Sequence, residues 1–185
     1  EVGFVRTFGQ LFVYRRLPGN RRVVLATGAR LGAAHGFPRV VASTSADGVL
    51  TTETVQDLPA SERFFAGGDT TVRGFSLDRL GTARTISATG FPTGGNGEIV
   101  LNAELRVAAL KGITAVGFLD AGNIFPRASD LRLTDLRPAA GFGLHYRSPV
   151  GPLRVELGFN LDPRELVPGH LERRTVLHVS LGQAF

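Results

Sequence analysis

The sequence predicts an all-β fold: an antiparallel transmembrane β-barrel, of which the chain supplies a C-terminal part of about seven strands. Three observations carry this. Apolar and polar residues alternate with period two over segments of about nine to thirteen residues. Tight connections alternate with long ones, which places short turns at one end of the strands and long loops at the other. The polar face is rich in glycine and carries only one or two charges per strand. Strands of ordinary globular sheets run to ~5–6 residues, whereas a tilted crossing of a bilayer takes ~9–11.

The segment 4–16 is strand-like with irregular faces. In RVVLATGARLGAA, Val23, Leu25, Ala29 and Leu31 oppose Gly28, Arg30 and Gly32. IVLNAELRVA sets Ile99, Leu101, Ala103, Leu105 and Val107 against Asn102, Glu104 and Arg106. The run 113–124 is less regular, with Thr114, Val116, Phe118 and Asp120 opposite Ile113, Ala115 and Leu119. In AAGFGLHYR, Ala140, Phe142, Leu144 and Tyr146 face away from Gly141, Gly143, His145 and Arg147. LRVELGFNL separates Leu153, Val155, Leu157, Phe159 and Leu161 from Arg154, Glu156, Gly158 and Asn160. The last segment, TVLHVSLGQAF, sets Leu177, Val179 and Leu181 against His178, Ser180 and Gly182. LPGN, LKG and SPVGP are the tight joins; the stretches at about 36–97, 125–136 and 162–173 are the long ones.

A soluble β-sandwich binding module would also alternate, but it explains neither the strand length nor the one-sided placement of long loops. Glycine on an inner face gives room where another segment packs close. Seven is an odd count for a single-chain bacterial barrel, and an open sheet edge in lipid leaves backbone groups without partners. Either an eighth strand lies in PRVVASTSA (38–46) or GVLTTETV (48–55), or the 185 residues are part of a larger barrel. The second is the expectation adopted, and a first residue that is Glu1 rather than Met agrees with it.

Composition excludes several classes. No run approaches the ~18 apolar residues of a membrane-spanning helix. Cysteine is absent, which removes disulfides and thiolate metal sites. The net charge is +5 and Lys111 is the only lysine, but the arginines are scattered through turns and alternate strand positions and form no basic arm. Nucleic acid is not an expected partner.

The stretch RFFAGGDTTVRGFSLDRLG, residues 63–81, carries one arginine, Arg73, between Val72, Gly74 and Phe75. It lacks the G-K-[ST] ending of a phosphate-binding loop, and no helical pattern follows. Together with NAELR, FLDAGNIF, GFGLHYRSPVGPLRVELGF and a terminal phenylalanine, the stretch resembles the bacterial surface antigen superfamily. That superfamily holds the polypeptide-transporting outer-membrane barrels of the BamA, TamA and two-partner-secretion types. The resemblance runs from about residue 4 to Phe185 and implies the last seven strands of a sixteen-stranded barrel, with a long internal loop at about 36–97.

It further implies that the loop folds back into the lumen, where Arg73 meets Glu104 and Asp120 on the next two strands. A guanidinium offers five donors in a planar fork and can hold carboxylates in bidentate fashion, which lysine cannot. A lumen filled with water would weaken such a contact. Gly67, Gly68 and Gly74 let the loop turn sharply, Phe75 is expected beside the arginine, and Phe118 and Gly122 flank the acids. Phe185 matches the C-terminal assembly signal of such barrels, from which Gln183 departs.

The implied function is insertion or translocation of polypeptides in the outer membrane of a Gram-negative-type bacterium. The implied partners are outer-membrane lipid, client polypeptides, upstream periplasmic domains and accessory lipoproteins. A secretion transporter, the barrel of a fused enzyme and a passive pore remain alternatives. No cofactor or metal is implied. His35, His145, His170 and His178 lack metal-ligand spacing, and no G-x-S-x-G elbow surrounds any serine, so no enzymatic activity is expected of the chain.

Overall fold

A computed structural model describes residues 3–19, 22–44, 50–149 and 151–181; among these, nine strands and three short 3-10 turns form, and no α-helix. The strands are β1 (Phe4–Arg16), β2 (Val23–Gly36), β3 (Arg39–Thr44), β4 (Leu50–Val55), β5 (Gly97–Leu110), β6 (Ile113–Phe125), β7 (Arg137–Ser148), β8 (Gly151–Asn160) and β9 (Thr175–Leu181). Seven of them make one antiparallel meander in the order β1-β2-β5-β6-β7-β8-β9. Phe185 and Gln183 lie outside the described residues.

The two segments offered as an eighth strand do not join this sheet. β3 and β4 pair with each other as a separate two-stranded ribbon within the long connection after β2. Pro38, at the exit of β2, has no N–H to donate and interrupts the ladder there.

Register fixes the faces, because side chains alternate across a strand. Asn102 pairs with Asp120, Asp120 with Ala139, and Ala139 with Asn160, so their row shares one face. Segment 56–96 packs on that face, here called inner. Its Leu58, Phe64, Ala66, Val72, Phe75 and Leu80 join Ala34, Val100, Ile124 and Ala139 of the sheet in the one buried apolar cluster of the described residues. On the outer face Leu119, Phe142, Leu144, Leu177 and Val179 stay exposed (Leu119 by 63%), and among the described residues no second sheet covers them. A soluble sandwich hides such rows.

β1 has irregular faces in sequence because its inner row is aromatic. Phe8 and Phe12 sit opposite Gly32 and Gly28, Phe8 stacks on Phe64 of the loop at 6.3 Å, and the Arg30 guanidinium lies 5.6 Å from the Phe12 ring centre. Val5, Leu11 and Val13 form the outer row. The inner-row glycines mark where the loop comes closest. A Cβ on Gly32 would meet the Phe64 ring at 2.6 Å, and one on Gly122 would meet Val72 at 2.8 Å.

Candidate functional site

The internal loop reaches the sheet through a tight backbone turn. Gly67 and Gly74 have φ of +112° and +125°, a region that L side chains rarely enter, and Gly68 has +103°. The turn is closed by Gly68 N–H donating to Phe75 O at 3.0 Å and Gly67 N–H to the Thr71 hydroxyl at 2.8 Å. Asn102 of β5 donates to Thr71 O at 2.7 Å and also to Asp120 at 2.9 Å, which ties the turn to the wall.

This delivers Arg73 to the centre of the inner face. Its Nε and Nη2 donate to the two oxygens of Asp120 at 2.9 and 3.0 Å, a bidentate fork, and its backbone N–H donates to Asp120 Oδ2 at 3.0 Å. Nη1 bonds Glu104 Oε2 and reaches Glu156 Oε1 at 3.0 Å. The Phe118 ring centre lies 3.7 Å from the guanidinium carbon. Arg73 is 1% exposed, Glu104 and Glu156 0% and Asp120 3%. The site is therefore dry, contrary to the expectation of a watery lumen, because the loop itself lids the carboxylates.

Glu104 and Asp120 are both at the loop arginine; Glu156 on β8 is a third acid that sequence reasoning did not single out. Its signal was its place on the polar row with Arg154. The Phe75 ring lies under Arg137, 4.7 Å from that guanidinium, and the Phe118 ring lies against Arg73. The chain direction reverses at Gly74, which sends consecutive side chains to different parts of the wall. Gly122 makes room for Val72 rather than for Asp120.

Asp69 and three further basic side chains complete the network. Arg106 Nε donates to Glu104 Oε1 at 2.5 Å, and His145 Nε2 lies 2.9 Å from Glu156 Oε1. Arg154 of β8 donates to Asp69 of the loop at 2.8 Å and to Glu156 at 3.4 Å. Loop and wall thus exchange charges in both directions: a loop cation enters wall acids, and a wall cation takes a loop acid. Glu104, His145 and Glu156 bring ligand atoms within 4.8 Å of one another, a spacing that also suits a metal ion, but the cation between the two carboxylates is Arg73 Nη1.

A second arginine, also missed in the sequence, fastens the long-loop end. Arg137, at the start of β7, donates to Gly81 O at 3.2 Å, to Asp162 O at 2.8 Å and to Glu172 Oε1 at 2.9 Å, with a further bond to Glu172 Oε2. It joins the internal loop to the β8–β9 connection. Arg137→Ala in the full-length protein should raise amide hydrogen exchange roughly tenfold at 79–82 and 161–174 and leave β5 and β6 protected; a charge-assisted bond contributes ~1.5–3 kcal/mol, which corresponds to at least that factor. Exchange read by mass spectrometry checks this.

The family model of the Omp85 superfamily domain matches residues 2–185. The chain belongs to the Omp85 superfamily. One relative is the outer membrane protein assembly factor BamA of Nitratidesulfovibrio vulgaris, 31% identical over 137 residues that make up 70% of this chain and 16% of the relative. Among solved structures, BamA from Haemophilus ducreyi lacking POTRA domains 1–3 has a similar fold, with a TM-score of 0.66 at 20% identity over 96% of this chain and 35% of that one. The Omp85 chain thus spans about a sixth of the first relative and about a third of the second. As an Omp85 domain it is an outer-membrane β-barrel segment of Gram-negative type: the bare outer rows face lipid, the inner face is the lumen, and the tight turns lie at the periplasmic end.

Proposed function

We propose that the chain is the C-terminal portion of an outer-membrane barrel domain that inserts or translocates other polypeptides, with residues 36–97 as an internal loop latched by Arg73. The observation that carries the latch is the convergence of Asp120, Glu104 and Glu156, from three strands, on one loop guanidinium. Val72, Gly74 and Phe75 seat the motif, and Gly67 and Gly68 turn it. The latch holds β5, β6 and β8 at fixed spacing. Client insertion then proceeds at the seam where β9 meets the first strand of the complete barrel, and an opened edge there templates an incoming strand by main-chain hydrogen bonding. Client polypeptides, upstream periplasmic domains and accessory lipoproteins are the partners this reading expects. Similarity to an outer membrane protein assembly factor supports it.

The full-length protein in proteoliposomes tests the proposal against a passive pore. It should speed the folding of a client barrel, followed by the heat-modifiable band on gels, at least tenfold over empty liposomes, and Arg73→Ala should remove most of that gain. A passive barrel would conduct ions while leaving the folding rate at the empty-liposome level. A variant that assembles clients at the full rate would sink the latch.

A further inference from the structure

The tight-turn end of the sheet is charged in one sign. Residues 15–22, 106–114 and 145–153 hold Arg15, Arg16, Arg21, Arg22, Arg106, Lys111 and Arg147 and not one Asp or Glu. On the inner side of that end lies a hollow of about 510 Å³ lined by Arg16, Arg22, Arg106, Thr114, His145 and Arg147, among others. Register puts Arg16 on the inner row of β1, opposite Val24, and Arg147 on that of β7, opposite Pro152. Arg16, Arg22 and Arg147 are exposed. The nearest acids deeper in the lumen are already committed: Glu104 to Arg73 and Arg106, Glu156 to Arg73, Arg154 and His145.

We infer that this periplasmic vestibule is a binding site for an acidic, extended polypeptide segment. Guanidinium forks match carboxylates in geometry as well as charge. The cations are spread over β1, the turn before β2, β5 and β7 and do not converge on one point. β1 and β7 are four strand spacings apart in the sheet, ~19 Å at ~4.8 Å each, which suits a row of carboxylates along a strand of about six residues at ~3.4 Å per residue. A single phosphate would fill only part of such a row. Headgroups of the surrounding bilayer would meet the outer row, where Arg15 sits, and not the inner side. A vestibule of one sign also raises the local concentration of an oppositely charged chain, so capture is fast and weakens with salt. The inference stands on the charge arrangement and does not require that the bound segment be a client.

The test uses the full-length protein in detergent micelles and a fluorescein-labelled hexaglutamate peptide, with hexaglutamine as the neutral control, followed by fluorescence anisotropy. Hexaglutamate should bind and hexaglutamine should not, and binding should weaken as salt is raised. Each of Arg16→Gln, Arg22→Gln and Arg147→Gln should lower affinity about 2–5-fold, the range of solvent-accessible ion pairs, with larger losses when combined. Arg15→Gln with Lys111→Gln should leave binding unchanged. These positions are exposed, so the variants should fold, and the heat-modifiable band verifies that each does. Equal affinity of the triple variant and the parent protein overturns the inference. Loss confined to the Arg15 and Lys111 pair also overturns it.

Discussion

Arg73→Ala is expected to lower the stability of the full-length barrel by ~3–5 kcal/mol, the range for breaking a buried ion pair and stranding its partners. Three carboxylates, from β5, β6 and β8, would be left at a dry point with one guanidinium fewer between them. Arg106, Arg154 and His145 still contact two of them, but among the described residues Asp120 keeps only the Asn102 amide as a side-chain donor. The urea midpoint of the heat-modifiable band measures the loss. Arg73→Lys should recover less than half of it, because an ammonium carries the charge but cannot fork onto Asp120 while reaching Glu104 and Glu156. Glu104→Ala, Asp120→Ala and Glu156→Ala should each couple to Arg73→Ala, so that a double variant loses less than the sum of its singles. Fully additive losses would dismantle the account of a single network.

Gly158→Val should do comparable damage without altering any charge. The loop backbone lies directly on β8 at this point: a Cβ on Gly158 would stand 2.5 Å from Gly74 N and 2.8 Å from the Arg73 carbonyl carbon. Both are main-chain atoms, so no rotamer change relieves the contact, and the loop must lift or β8 must bend. Lifting withdraws Arg73 from its acids. The variant should therefore reproduce the Arg73→Ala phenotype in stability and in client folding, and adding Arg73→Ala to it should cost little more. If Gly158→Val behaves as the parent protein, the close approach of loop and wall has no consequence. Gly117 is the control: a Cβ there meets nothing within 4 Å.

Much of the fold was legible because a sheet with unlike faces writes its register into the sequence. The rows of β5 and β8 could be read directly from Leu101, Leu105, Val155 and Leu157. The same parity puts Glu104, Asp120 and Glu156 on one face, but it leaves open how far along its strand each acid stands. That depth depends on the stagger of β5, β6, β7 and β8, which the turns impose, and so the third acid went unnoticed. β1 misled for a different reason: Phe8 and Phe12 are apolar residues on the polar side, where they contact Phe64 and Arg30 rather than lipid. Either strand of the β3–β4 ribbon reads like an eighth barrel strand because pairing partners leave no mark on a six-residue segment. Arg137 was invisible since its contacts, Gly81, Asp162 and Glu172, are brought together only by two connections folding over one end. The dryness of the Arg73 site arises from that same covering.

The carboxylates that receive Arg73 follow it in the chain by 31, 47 and 83 residues. A polypeptide threaded out N-terminus first presents the guanidinium, then Glu104, then Asp120, and completes its coordination only when β8 has arrived. Until β8 arrives the guanidinium holds Asp120 and Glu104 alone, and Glu156 then ties the loop to a third strand.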